Sequence, residues 1–255
     1  MAMALIQGAL RANLCCASEI TVSSRSRAGL ENLVSATGVC AAASNAEAVR
    51  EADTIMLCVK PPDALRALQE AGNGLDGRLL ISVVTGLKIT TLRQAAPGCR
   101  VIRAMPNTAA MVGRSATAVA VESDTTREDA ATAERVFGAV GEVFTVGEDQ
   151  LDAVTGLSGS GPAFVYLVME ALSDGGVAVG LPRKLAQDLA IQTVAGSAEM
   201  AASTKEHPAL LREMVASPGG TTIAGLAVLE GAAVRSAFIS AVKAAAVRSR
   251  ELSGS

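Results

Sequence analysis

The sequence predicts a doubly wound α/β domain followed by an all-helical second half, with the change near residue 147. Three observations carry that expectation. Short β-branched runs alternate with helical stretches through the first 147 residues, the pattern of a parallel sheet covered on both faces by its crossovers. From Glu148 onward the strand signal is gone, and Gly, Pro and Ser punctuate a series of helices. With 255 residues, 50% of them hydrophobic, the chain is long enough for one large or two medium domains.

The elements follow in order. "MAMALIQGALRA" places Met3, Leu5, Ile6 and Leu10 at helical spacing. Strand-like runs are "EITVSS" (19–24), "TIMLCV" (54–59), "RLLISVV" (78–84), "RVIRA" (100–104), "ATAVAVE" (116–122) and "EVFTVG" (142–147). Between them lie the helical stretches "SRAGLENLVSAT", "NAEAVREA", "PDALRALQEA", "ITTLRQAA" and "REDAATAERVFGAV". In the second half "DQLDAVTGL", "GPAFVYLVMEALSDGG", "PRKLAQDLAIQTVAGSAEMAA", "HPALLREMVA" and "TTIAGLAVLEG" read as helices, before a last long one, "AVRSAFISAVKAAAVRSREL". The domains are therefore expected at 1–147 and 148–255. Much Ala and Gly in the second lets helices approach closely, as oligomer interfaces require.

Composition excludes several function classes. Twenty-two basic and twenty-five acidic residues give a net charge of −3 without any block of like sign, so nucleic acid and anionic membranes are not expected partners. One His and 2% aromatics argue against base-stacking surfaces and His-based metal sites; no metal is expected. Mean hydropathy is positive, +0.37. Yet the longest uncharged apolar stretch, "GPAFVYLVM" (161–169), ends at Glu170, well short of the ~20 residues a bilayer demands. No Lys or Arg precedes the apolar N-terminus, so a secretory signal is not expected. The cysteines Cys15, Cys16, Cys40, Cys58 and Cys99 lack CxxC spacing and read as small core fillers in a reducing, cytoplasmic compartment.

In an open parallel sheet, ligands bind beyond the carboxyl ends of the strands. After "EITV" comes "SSRSR" (23–27), hydroxyls and two guanidiniums where an NAD-binding strand end offers Asp or Glu to the ribose. That chemistry suits a 2′-phosphate, so NADPH is favoured and NADH is the second choice. The bland alternative is a polar loop with two solvated arginines. "VKPP" (59–62) and "MPNT" (105–108) end two further strands in the same fashion. No GxGxxG turn precedes "EITVSS", although such a turn normally brings backbone to the pyrophosphate. The opening helix looks like the one that follows such a turn, so the first strand of the sheet is expected to be missing from this sequence.

"VIRAMPNTAAMVGRSATA", "DAVTGLSGSGPAFVYLVMEALSDGGVAVGLPR", "HPALLREMVASPGGTTIAGLAVLE" and "AVKAAAVRSREL" together resemble the pyrroline-5-carboxylate reductases, over nearly the whole chain. The resemblance implies an N-terminal Rossmann domain and a C-terminal helical domain that forms an interlocked homodimer, assembling up to a decamer. It implies NADPH-dependent reduction of 1-pyrroline-5-carboxylate to L-proline. Carried over by position, Ala2 is the last small residue of the glycine-rich turn, and Ser24 and Arg25 meet the ribose phosphate. Asn45 falls near the adenosine end, Val59, Lys60 and Pro61 pass the cofactor, and Thr85 and Asn107 lie near the nicotinamide. Glu148 borders the substrate site, and Ser217, Gly219, Gly220, Thr221 and Thr222 form the substrate loop. Met214 departs from the pattern, standing where family members often carry Asn or Gln.

The substrate that the resemblance implies is a cyclic imine bearing a carboxylate. "SPGGTT" (217–222) stops one helix and starts another, leaving free backbone N–H groups at the positive end of the helix dipole, which binds a carboxylate without Arg or Lys. Thr222 is the expected contact to the ring nitrogen, directly or through water. Read without the resemblance, the same residues are a helix–helix turn with a Thr cap. "LSGSGP" (157–162) is expected to permit helix contact at the domain junction, "SDGGVAVGLP" (173–182) to be a helix end and interface turn, and His207 to begin a helix. Two rival readings are a catalytically impaired chain that acts only as a helical dimer, and another two-domain reductase acting on a β-hydroxy acid. The latter class uses a lysine on the long helix after its dinucleotide domain, and no lysine occurs between Glu148 and Gly180.

Overall fold

The computed structural model describes residues 1–122 and 124–254. The chain divides into two compact units, Met1–Ser160 with Lys243–Ser255, and Gly161–Val242.

The first unit opens with α1 (Ala2–Arg11) and then alternates as the hydrophobic pattern requires. β1 (Thr21–Val22), α2 (Arg27–Thr37), β2 (Cys40–Ala41) and α3 (Asn45–Ala48) lead to β3 (Thr54–Leu57) and α4 (Ala64–Ala71). β4 (Leu79–Ser82), α5 (Ile89–Ala95), β5 (Arg100–Met105), β6 (Ser115–Ala120), α6 (Arg127–Gly138) and β7 (Gly141–Val146) follow. Side-chain caps fix several starts: Ser26 accepts from the Gly29 amide at 3.1 Å, and Thr126 from the Asp129 amide at 3.0 Å. β2 escaped the sequence reading because two residues carry no periodicity.

The strands form two ladders rather than one sheet. β1 pairs with β2 in parallel, and the five-stranded sheet runs β3-β4-β5-β6-β7. All its pairs are parallel except β5 with β6, which are antiparallel in the register Ala104 opposite Val119. That one pair departs from the parallel sheet expected. Residues 106–114 are fewer than the dozen or so that a parallel crossover needs, so the chain returns antiparallel.

Both faces of the larger sheet are covered, and strand alternation divides its side chains between them. On one face Leu80, Val101, Ala118 and Ala120 pack against Leu68 of α4 and Leu92 of α5. On the other, Leu79, Ile81, Ile102 and Val119 meet Leu5 of α1 and Phe137 of α6. Cys58 and Cys99 pack against the two core clusters as expected, but the other cysteines do not fill the core. Cys16 and Cys40 are exposed and the other three half-buried, because Cys15 and Cys16 sit in the turn after α1 and Cys40 on a two-residue strand.

After β7 come α7 (Leu151–Val154) and a π-helical turn over Thr155–Gly159. The remaining helices are α8 (Gly161–Ala178), α9 (Arg183–Thr204), α10 (Pro208–Met214), α11 (Thr221–Gly231) and α12 (Val234–Leu252). α8 runs through Gly175 and Gly176 and ends at Ala178, inside the stretch 173–182 expected to hold a helix end and turn, and a Cβ on Gly176 would stand 3.0 Å from the Cβ of Ala186 in α9. Close packing there overrides the helix-breaking tendency of the glycine pair. His207 caps α10 as expected, its Nδ1 accepting from the Ala209 amide at 3.2 Å. Among the described residues of Gly161–Val242, only Ser173, Ala186 and Ala190 are buried. Tyr166, Leu167, Val179, Val228 and Leu229 all stand exposed, an apolar surface of the kind that partners cover. No single helix among the described residues is long and apolar enough to cross a membrane.

Candidate functional site

The first half of the site is built where β1 and β3 end. The Ser23 hydroxyl donates to Asn45 Oδ1 at 2.7 Å, and Asn45 Nδ2 donates to Glu70 Oε2 at 2.8 Å and to the Ala67 carbonyl at 3.4 Å. Ser24 Oγ accepts from the Ser26 amide at 3.2 Å, which tightens the loop. Arg25 pairs with the carboxylate of Asp63, and Arg66 reaches the other oxygen of Asp63 at 3.3 Å. Val59 and Lys60 are exposed, and Pro61 and Pro62 open a 3₁₀ turn over Pro61–Asp63 that leads into α4. Three loops far apart in sequence, around Ser24, Asn45 and Pro61, are thus joined in one polar rim.

Ala2 occupies the first turn of α1. The Met1 ammonium bears on Cys58, which places the start of α1 beside the end of β3. The first amide of α1 to find a backbone acceptor is that of Leu5, bonded to the Met1 carbonyl at 3.1 Å. The N–H groups of Ala2, Met3 and Ala4 point out of the helix start without an acceptor among the described residues, the arrangement that attracts phosphate.

The second half lies where β4 and β5 end. Thr85 Oγ1 contacts Met105 Sδ at 3.9 Å. Asn107 is held on three sides: its amide donates to Ser115 Oγ at 3.2 Å, its Oδ1 accepts from the Ala109 amide at 3.1 Å, and its Nδ2 donates to the Ser158 carbonyl at 3.1 Å. Ser158 belongs to the π-helical turn, and such turns gather at functional sites. Glu148 follows β7. Its Oε1 accepts from the Ile89 amide at 2.7 Å and from Arg103 Nη1 at 3.3 Å, and Arg103 is only 4% exposed.

The loop expected to meet the substrate is in the second unit. Ser217–Gly220 make a β-turn in which the Gly220 amide donates to the Ser217 carbonyl at 3.0 Å. Proline stands second and Gly219 third with φ +67°, a conformation that costs glycine little. α11 begins at once, with no side-chain cap, and its first backbone bond runs from Ala224 to Gly220. The amides of Thr221, Thr222 and Ile223 therefore have no acceptor among the described residues. Thr222 is half-buried and Thr221 exposed. Met214, the departing residue, is exposed at the end of α10.

The donor set of the first unit fits a dinucleotide carrying an extra phosphate: uncapped amides for the pyrophosphate, hydroxyls at Ser23 and Ser24, and a guanidinium at Arg25. Reading the sequence missed Asp63, Arg66 and Arg103. Arg103 announces itself only as a charge inside the apolar run "RVIRA", and Asp63 as the acid that closes "VKPPD". No group of three or more His, Cys, Asp or Glu placed to hold a metal ion occurs among the described residues.

Known proteins match both parts of the chain. Residues 148–252 match the family model described as pyrroline-5-carboxylate reductase dimerisation, and residues 1–86 match one described as NADP oxidoreductase, coenzyme F420-dependent. The pyrroline-5-carboxylate reductase of Arabidopsis thaliana is 42% identical over 100% of this chain and 93% of its own length. That of Synechocystis is 49% identical over 82% of this chain and 78% of its own. Among solved structures, the pyrroline-5-carboxylate reductase of Coxiella burnetii superposes with a TM-score of 0.92 at 35% identity, covering 99% of this chain and 94% of that one. The Plasmodium falciparum pyrroline carboxylate reductase, solved with NADP bound, gives 0.88 at 31% identity, over 98% and 93%. The chain belongs to the pyrroline-5-carboxylate reductase family.

Proposed function

We propose that this chain catalyses the NADPH-dependent reduction of 1-pyrroline-5-carboxylate to L-proline, an oxidoreductase step on a C=N bond. The observation that carries the reading is the turn Ser217–Gly220. It presents three uncommitted amides and the Thr222 hydroxyl within one helical turn, in a family whose members bear this name.

The residues divide the work. The amides at the start of α11 hold the substrate carboxylate, helped by the positive end of the helix. Ser217 and Thr221 flank that cradle, and Gly219 and Gly220 let the backbone come close. Thr222 donates to the ring nitrogen, directly or through one water, and steadies it as it takes up a proton. When bound, reduced NADPH supplies the hydride. Ala2, Ser24, Arg25 and Asn45 hold its adenosine and phosphate portion, Val59, Lys60 and Pro61 pass alongside it, and Thr85 and Asn107 orient the reactive end. Asn107 suits that task because three hydrogen bonds fix its side chain and backbone.

Self-association completes the reading. The exposed apolar helices of the second unit fit an interlocked homodimer, building up to a decamer, in the cytoplasm. We further propose that Glu148 marks the functional division between the cofactor-binding part and the dimerisation and substrate part. The test is direct. Purified protein with pyrroline-5-carboxylate and NADPH is expected to lose NADPH absorbance and form proline; no turnover would refute the activity.

A second reading, a dimer with little turnover, is favoured by one observation: β1 and β3 belong to separate ladders. NADPH titration distinguishes the two. Micromolar binding supports the enzyme, and no measurable binding supports the dimer alone.

A further inference from the structure

Arg25 is already occupied. Its guanidinium is paired with Asp63, a residue no sequence motif singled out, and the same carboxylate takes a second contact from Arg66 at 3.3 Å. Asp63 is the anchored member of this trio. Its side chain is 19% exposed against 63% for Arg25 and 52% for Arg66. Two prolines fix the backbone ahead of it, and it stands at the entrance of α4. The arginines are long, mobile and wet; the carboxylate is short and held.

We propose that Asp63 is a specificity-determining residue, the counter-ion that a ribose 2′-phosphate must displace from Arg25, and that it sets the ratio of NADPH to NADH use. This rests on the reading that Arg25 meets the ribose phosphate. Two guanidiniums share one carboxylate, so the trio carries a residual positive charge that admits a phosphate dianion. The fixed carboxylate nevertheless competes with that phosphate for Arg25 and repels it at short range. NADH brings a neutral 2′-hydroxyl instead, and a carboxylate at that place accepts its hydrogen bond, the usual way an acidic residue reads NAD. One side chain therefore works against the phosphorylated cofactor and for the other. Its presence beside Arg25 would let a loop built for phosphate accept NADH as well.

The experiment measures binding rather than turnover. Adenosine 2′,5′-bisphosphate and 5′-AMP are titrated calorimetrically against the wild-type protein, Asp63→Asn and Arg25→Ala, with thermal melts to confirm folding. Asp63→Asn is expected to tighten the bisphosphate about two- to fivefold, the scale of a partly exposed ion pair, and to leave 5′-AMP unchanged or weaker. The gain is expected to shrink as salt is raised. A bisphosphate-to-AMP ratio unchanged in Asp63→Asn, while Arg25→Ala selectively weakens the bisphosphate, overturns the proposal alone. Equal losses for both ligands in Arg25→Ala overturn the reading of Arg25 beneath it, and the proposal with it. Asp63→Ala repeats the test without an amide that could bond the phosphate, and a looser bisphosphate in both variants also refutes the role.

Discussion

The carboxylate of Glu148 accepts the backbone N–H of Ile89 at 2.7 Å, joining the exit of β7 to the entrance of α5. The same oxygen takes Arg103 from the middle of β5. One acid thus satisfies an orphan helix amide and a guanidinium taken almost wholly out of water.

Removing that acid leaves Arg103 uncompensated. Glu148→Ala is expected to cost about 2–4 kcal/mol in urea unfolding, on the scale of a broken buried pair. Glu148→Gln keeps an acceptor for Ile89 and is expected to cost less than half as much. Steady-state kinetics on the Gln variant then read the proposed substrate role separately. A raised KM for the imine in a stable protein supports contact with substrate, and unaltered kinetics leave Glu148 as a clamp.

The end of α12 makes a comparable fixture within the first unit. Ser249 donates to Asp152 Oδ1 at 2.5 Å, and the Leu252 carbonyl lies where a Cβ on Gly86 would meet it at 3.1 Å. Gly86 has φ +77°, so a side chain there is both strained and crowded. Gly86→Ala is expected to lower stability by about 1–2 kcal/mol. It should also raise KM for NADPH by displacing the adjacent Thr85. A variant with wild-type melting temperature and KM would refute the fixture.

Much of this architecture was legible in the sequence. Runs such as "RLLISVV" and "REDAATAERVFGAV" carry clean periodicity, and the order of strands and helices follows from them. Other features were not legible, for physical reasons. The β5–β6 reversal depends on connection length and not on either strand's composition. The two-residue strand β2 has no pattern of its own and exists only by pairing with β1. Nothing local in "AVKAAAVRSREL" reports that residues from Lys243 on pack with the first unit, because helical spacing names a buried face and not its neighbour. At the site, "SPGGTT" announced its turn through Pro and Gly, whereas the Arg25–Asp63 and Arg103–Glu148 pairs join residues 38 and 45 positions apart and leave no local mark.

Cys58 predicts a pH dependence. Burial pushes its thiol up from 9.0 to about 11, with the Met1 ammonium opposing the shift. A folded-state value above the unfolded one means that the unfolded chain loses this proton first as pH rises. The contribution is fully present below pH 9, declines through the window from 9 to about 11, and amounts to about 2–3 kcal/mol at most. Urea unfolding at the two ends of that window is expected to show a smaller alkaline loss in Cys58→Ala than in wild type. Equal losses would sink the assignment.

Thr222 separates a chemical role from a structural one. Its neighbour Thr221 shares the first turn of α11 but is exposed, whereas Thr222 is half-buried and neither caps the helix. A purely structural view therefore expects similar, small effects from Thr221→Ala and Thr222→Ala. If the Thr222 hydroxyl supports the ring nitrogen while it gains a proton, its loss removes a hydrogen bond that matters most in the transition state, and kcat falls about tenfold or more. Thr222→Ser retains the hydroxyl and is expected to recover most of the rate, with Thr221→Ala near wild type. The decisive comparison is kcat at saturating imine and NADPH for the three variants. Full activity in Thr222→Ala would leave the amides of the turn to act through binding alone.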